Sequence, residues 1–193
     1  SIAAAMLYTA GATNRLTRVD EGNTPTDFDE EEVARKISIS AAIAPVEWKK
    51  SNKVNLVDTP GFNSFLYETK AGLVGADSGA VVIDGVAGVE VGTEHVYNLC
   101  AELNIPRVFV INKLDRERAS FDRAMESIHA AFGRGAVPVH LPIGSEKEFQ
   151  GVVDLVRMRA WIYPADGDGK GREQDIPEDM NEAATAAHEA LVE

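Results

Sequence analysis

The sequence predicts a doubly wound α/β domain followed by the start of a smaller α+β lobe. Three observations carry this. Short runs dense in Val and Ile, residues 78–85 (SGAVVIDG) and 107–115 (RVFVINKLD), read as strands. Runs of that length suit parallel strands covered on both faces. Segments of helical period lie between them, and strand–helix alternation winds into one mostly parallel sheet. Beyond Gly144 the pattern changes to short alternating stretches, a turn-rich segment and an Ala-rich helix.

The elements follow in order. Residues 1–9 read as the later part of a helix ended by Gly11. Residues 14–32 are polar, hold Pro25 and lack an apolar period, so they read as a long loop, which at this length is usually functional or disordered. Residues 36–48 (KISISAAIAPVEW) alternate and read as a strand, KKSNK as a turn, and residues 54–58 (VNLVD) as its hairpin partner. In TEHVYNLCAEL, Val96, Leu99, Cys100 and Leu103 fall on one helix face. In RASFDRAMESIHAAF, Phe121, Met125, Ile128 and Phe132 do the same. Residues 136–144 (AVPVHLPIG) read as a further buried parallel strand. Residues 149–163 alternate, residues 164–177 read as a linker, and residues 178–193 as a helix.

Composition sets limits. The chain has 193 residues, 45% hydrophobic and 26% charged, an ordinary globular balance. No run of about 18 apolar residues is present, so no membrane span is expected, and there is no basic, apolar leader. One cysteine, Cys100, excludes an internal disulfide and fits a reducing cytoplasm. The net charge of −12 argues against strong nucleic-acid binding by this chain alone, since phosphate must be met by cations.

Two motifs carry chemistry. Asp58-Thr59-Pro60-Gly61 ends a strand in a D-x-x-G pattern. Asp58 can hold Mg2+ through water, and Gly61, without a Cβ, can bring its N–H close to a γ-phosphate. Asn112-Lys113-Leu114-Asp115 follows the run VFVI. The Asp115 carboxylate can accept two N–H bonds from a guanine edge, and adenine would leave it unpaired. The Lys113 stem can lie along the base, and Asn112 can tie loops together. Each motif alone could be a plain strand-terminal turn. Their order, and their places at strand carboxyl ends one strand apart, point to a guanine nucleotide.

The chain resembles the GTP-binding domain of bacterial elongation factor G and its paralogues. The resemblance rests on AMLYTAGATNRLTRVDEGNT, RKISISAAIAPVEW, VNLVDTPGF, VINKLD and LPIGSEKEFQGVVDLVRMRAWIY, and runs over essentially all 193 residues. It implies a P-loop-GTPase-like fold, with residues 1–144 as the GTPase core and residues 145–193 as the start of a G′-type insertion. It implies GTP/GDP and Mg2+ as ligands, and action on the ribosome in tRNA–mRNA translocation or a related step. The stalk protein would be met through the G′ lobe. By the same resemblance, Ser38 stands in Arg35-Lys36-Ile37-Ser38-Ile39 where the family has a Mg2+-binding Thr in Arg-Gly-Ile-Thr-Ile. Ser keeps the hydroxyl but lacks the β-methyl that fixes a rotamer.

Departures from the family pattern also count. No G-x-x-x-x-G-K-[ST] phosphate cradle is present. Ser1 reads as entering the helix that follows it, so the first strand and P-loop are expected to be missing and the chain to be cut at both ends. On that ground this fragment alone is expected to bind GTP weakly and to be inactive. Phe62 stands where the family has the His that positions the attacking water. Either the ring is a core residue packed with Phe65, or hydrolysis is slow or differently triggered, or both, and the aromatic residue tilts the resemblance toward a paralogue of elongation factor G. A module that kept the fold and lost efficient hydrolysis is therefore the rival reading.

Other signals weigh less. Asp166-Gly167-Asp168-Gly169-Lys170-Gly171 begins like a calcium loop, but its fifth position is Lys170 and its twelfth is Pro177, so it reads as a hairpin loop. The acidic run from Asp27 to Glu32 reads as a solvated loop rather than a metal site. Cys100 reads as a core residue.

Overall fold

The computed structural model describes the chain except Arg18, Ala165, Asp166, Asp168 and the side chain of Asp20. The loop with a calcium-like start thus lies partly outside the described residues. Contacts divide the chain into two compact units, residues 1–80 with 95–108 and residues 81–94 with 109–193.

The first unit opens on α1 (Ile2–Thr9), whose first turn is capped by the Ser1 hydroxyl accepting from the Ala4 N–H. The stretch expected to be one long loop contains a 3-10 turn, Val19–Glu21, and the start of a helix, α2 (Glu30–Arg35). The reason is local. Asp29 and Glu32 form a reciprocal capping box, which satisfies two orphan donors at the helix start. Lys36 then ends α2 in a left-handed conformation, φ 57°. The strand β1 (Ala42–Trp48) begins six residues later than its alternation suggested. Two N–H groups of the intervening segment, those of Ile39 and Ser40, are taken by the Glu32 carboxylate.

β1 pairs antiparallel with β2 (Asn52–Asp58), from Ala42↔Asp58 to Trp48↔Asn52, as the hairpin pattern predicts. Leu7 of α1 packs on Ala44 and Val46 of β1. The helix α3 (Leu66–Val74) follows. The β3 strand (Gly79–Asp84), the α4 helix (Val91–Glu102) and the β4 strand (Arg107–Asn112) run from one unit into the other. Within the first unit, Leu73, Cys100 and Ile105 form a core with Val96, Leu99 and Leu103, the face predicted for α4. Burial raises the Cys100 thiol pKa, in keeping with a core residue.

β3 and β4 are neighbours in one sheet. Gly79 N–H donates to Pro106 O and Gly85 N–H to Asn112 O, so the partners advance together and the pair is parallel. Val82 and Val108 remain exposed, so the strands are not covered on both faces within this chain.

In the second unit, the predicted face of α5 (Phe121–Phe132) buries Ile128 fully, and the Phe132 ring stacks on Phe109. The run 136–144 does not continue the parallel sheet. Only β5 (His140–Ile143) is a strand, and it pairs antiparallel with β6 (Gly151–Asp154). β7 (Arg159–Ile162) and β8 (Arg172–Gln174) complete a four-stranded antiparallel sheet. The helix α6 (Asn181–Val192) buries Ala184 among Ile143, Val153, Leu155 and Ala160.

Candidate functional site

Asp58 closes β2, where the strand hands over to the turn Thr59-Pro60-Gly61. That turn is pinned from α3, because the Thr69 hydroxyl donates to Pro60 O at 3.2 Å. The helix comes close here, with the Cβ direction of Gly72 3.0 Å from Thr59 Cγ2 and 3.1 Å from Val57 Cγ1. At Gly61, by contrast, an added Cβ would meet nothing within 4 Å among the described residues. Their packing does not require glycine there, which fits a position kept open for something that approaches.

Asp58, Gly61, Phe62, Lys36, Ser38 and Asp27 all border one cavity of about 370 Å3 in the first unit. Two predicted cation ligands, Ser38 and Asp58, therefore share one space. Their hydroxyl and carboxylate oxygens are the donor chemistry that Mg2+ takes. Burial pushes the Asp58 carboxyl pKa up. The Thr26 hydroxyl bond opposes this, and the nearby Asp27 charge adds to the rise.

Sequence reasoning missed four residues bonded to this lining or to its flanks, of which only Asp27 itself borders the cavity. Thr26 Oγ1 donates to Asp58 Oδ2 at 2.6 Å. Ser38 Oγ donates to Asp27 Oδ1, and Thr24 Oγ1 to Asp27 Oδ2, each at 2.6 Å. Glu32 is 1% exposed. Its carboxylate accepts the N–H groups of Ile39 and Ser40 on one oxygen and of Asp29 on the other. Burial raises the Glu32 pKa, but the backbone donors outweigh it and hold the group below its ordinary value. The acidic run 27–32 is thus solvated only in part, since Asp29, Glu30 and Glu31 are exposed while Asp27 and Glu32 are internal acceptors. Its one legible signal was Asp29-x-x-Glu32, the capping pattern.

Phe62 is 57% exposed, which removes the expectation of a core ring. Its extended backbone opens a 3-10 turn, Asn63–Phe65, held by Phe65 N–H on Phe62 O at 2.9 Å. Phe62 is among the residues that line the cavity, and a phenyl ring has no hydrogen-bonding atom to offer there.

The second motif lies in the other unit. Asn112 ends β4, and its carbonyl accepts from Gly85 N–H at 2.8 Å. Lys113 turns the chain at φ 61°, and its carbonyl accepts from the Arg116 N–H. Lys113 Nζ donates to Asp84 Oδ2 at 2.6 Å. That bond holds the Asp84 carboxyl below its usual value, and the Val86 and Ala87 N–H groups support it through Oδ1. Asp84 is a fifth partner the sequence did not single out. Asp115 is exposed.

An acidic strand terminus with an open glycine, and an N-K-x-D turn after a parallel strand, define the class of α/β P-loop-GTPase-like nucleotide domains. The chain belongs to the family of elongation factor Tu GTP binding domains, which it matches over residues 1–186. It is 38% identical over 188 residues to elongation factor G of Thermotoga sp. (strain RQ2), covering 97% of this chain and 27% of that protein. It is 39% identical over 189 residues to elongation factor G of Gluconobacter oxydans (strain 621H), with the same coverage. A crystal structure from Thermus thermophilus superposes with a TM-score of 0.88 at 29% identity, over 97% of this chain and 27% of that one. The chain spans about a quarter of the length of these relatives. Among the described residues, no helix is long and apolar enough to cross a membrane.

Proposed function

We propose that the chain is the GTP-binding domain of an elongation factor G-type GTPase that works on the ribosome, in tRNA–mRNA translocation or a related step. The observation that carries this is the grouping of Ser38, Asp58 and Gly61 around one cavity of about 370 Å3. In this reading Ser38 would hold Mg2+ directly and Asp58 would hold it through water. Mg2+, when bound, neutralises charge on the phosphates. The Gly61 N–H would bond the γ-phosphate, and Thr59 and Pro60 would flank the nucleotide in the turn that Thr69 of α3 pins. Asn112, Lys113 and Asp115 take the guanine, with Asp84 fixing the Lys113 head by the bond described above. Residues 1–144 form the GTPase core, and residues 145–193 begin a G′-type lobe that meets the ribosomal stalk protein. The setting is cytoplasmic. The 193 residues hold no G-x-x-x-x-G-K-[ST], so by themselves they bind GTP weakly. Calorimetric titration of the full-length gene product with GTP and Mg2+ tests the reading, and no binding at micromolar concentration overturns it.

A second reading, a domain with the fold but without efficient hydrolysis, is favoured by the exposed Phe62 among the residues that line the cavity. A phenyl ring can neither take a proton from water nor orient it. Losing such a group slows proton-transfer chemistry by about 10²–10⁴. Phe62→His in the full-length protein is therefore expected to speed ribosome-stimulated GTP hydrolysis by about that range. Equal rates for the parent protein and the Phe62→His variant would mean that the water is positioned by another group.

A further inference from the structure

We propose that Asp27 is a positioning residue for Ser38, and Thr26 for Asp58, so that the turn 24–27 sets the oxygen ligands of the nucleotide's cation. This rests on the guanine-nucleotide reading above. The turn is unusual in what it buries. Thr24, Thr26 and Asp27 are 4%, 2% and 8% exposed, while Pro25 and Phe28 beside them face solvent. Three polar side chains turned inward on a loop cost stability unless each finds a partner. Each does, and two of those partners are the residues assigned to the cation.

A hydroxyl has one proton and two lone pairs. Ser38 sends its proton to Asp27 Oδ1 at 2.6 Å, which leaves its lone pairs for a cation. Asp58 takes the Thr26 proton on Oδ2 at 2.6 Å, which leaves Oδ1 for a bound water. Asp27 is itself held, by the Thr24 hydroxyl at 2.6 Å and by its own N–H on Thr24 O at 3.2 Å. The Asp27 bond matters more for a serine than for a threonine. Threonine's β-methyl restricts χ1 by itself, whereas serine has no such restraint and depends on an outside acceptor. Asp27 supplies at position 38 the restraint that the missing methyl would have given.

The test uses the full-length gene product, a non-hydrolysable GTP analogue and Mn2+, with free Mn2+ read by electron paramagnetic resonance. Outer partners of metal ligands are typically worth about 10–100-fold in metal affinity. Asp27→Ala is expected to raise the Mn2+ Kd by at least about tenfold. Asp27→Asn keeps an acceptor oxygen and is expected to stay within a few-fold. Adding Ser38→Thr to Asp27→Ala is expected to recover most of the loss, which a merely structural role of Asp27 would not allow. Thr26→Val, nearly isosteric, covers the case in which Asp27→Ala does not fold, and is also expected to weaken Mn2+ binding about tenfold. Nucleotide-dependent Mn2+ uptake that Asp27→Ala and Thr26→Val leave unchanged overturns this proposal alone, as does Ser38→Thr failing to rescue a folded Asp27→Ala protein. No nucleotide-dependent uptake by the wild type overturns the nucleotide reading and this proposal with it.

Discussion

Replacing Glu32 by Ala tests the physical account of the segment that carries Ser38. The wild-type carboxylate collects three backbone N–H groups, from Asp29, Ile39 and Ser40, at 2.9–3.1 Å. Hydrogen bonds to a charged group contribute about 1.5–3 kcal/mol each, and a buried donor left without a partner costs about 1–3 kcal/mol. Water can reach the exposed Asp29 and Ser40, so the half-buried Ile39 donor carries most of the loss. The expected cost is about 2–4 kcal/mol for the segment around residues 29–40. The assay is amide hydrogen exchange at Ile39 and Ser40, with urea unfolding alongside. Glu32→Gln keeps one acceptor oxygen and should fall between wild type and Ala. Unchanged exchange at Ile39 and Ser40 in Glu32→Ala would refute the reasoning. The pH dependence has a definite sign. The folded pKa of Glu32 lies below its ordinary 4.5, so its contribution is fully present above about 4.5 and is lost as pH falls through the lower folded value.

Two further substitutions probe the backbone of the site. Lys36 holds φ 57°, a conformation that costs a side-chain-bearing residue about 1–2 kcal/mol. Lys36→Gly should stay within about 1 kcal/mol of wild type, because relieved strain is offset by a looser unfolded chain. Lys36→Val should lose at least about 1 kcal/mol in urea unfolding, and a Val protein as stable as the parent would contradict the strain argument. Gly72→Ala would press a methyl against Thr59 and Val57 at 3.0–3.1 Å. It should cost about 1–3 kcal/mol and weaken guanine-nucleotide binding by displacing the Asp58–Gly61 turn. Unchanged thermal stability and affinity would show that α3 does not set that turn.

Much of the fold was legible because its signals are local. The α4 and α5 faces, the β1–β2 hairpin and the strand carrying VFVIN each follow from a period read within a dozen residues. The two motifs were legible for the same reason, since D-x-x-G and N-K-x-D each occupy four consecutive positions. The capping box at Asp29 and Glu32 was also local, yet the surrounding run of acids hid it. The fate of residues 136–144 was not local. The apolar pattern of HLPI is the same for either sheet, and pairing with Gly151–Asp154 decides that it runs antiparallel.

The sequence by itself determined the α/β class, the elongation-factor resemblance and the identity of the candidate ligand residues. These rest on residue type and spacing along the chain. Only the tertiary structure decided that Phe62 is exposed at the cavity and not in a core, and that Asp27 and Glu32 are internal acceptors. It alone joined Thr26 to Asp58 and Asp84 to Lys113, pairs 32 and 29 positions apart. A hydrogen bond of 2.6 Å needs both partners placed to within a few tenths of an ångström. For Asp58 that placement comes from the packing of α3 under its turn, and for Asp84 and Lys113 from the parallel pairing of β3 and β4, and no residue pattern specifies it.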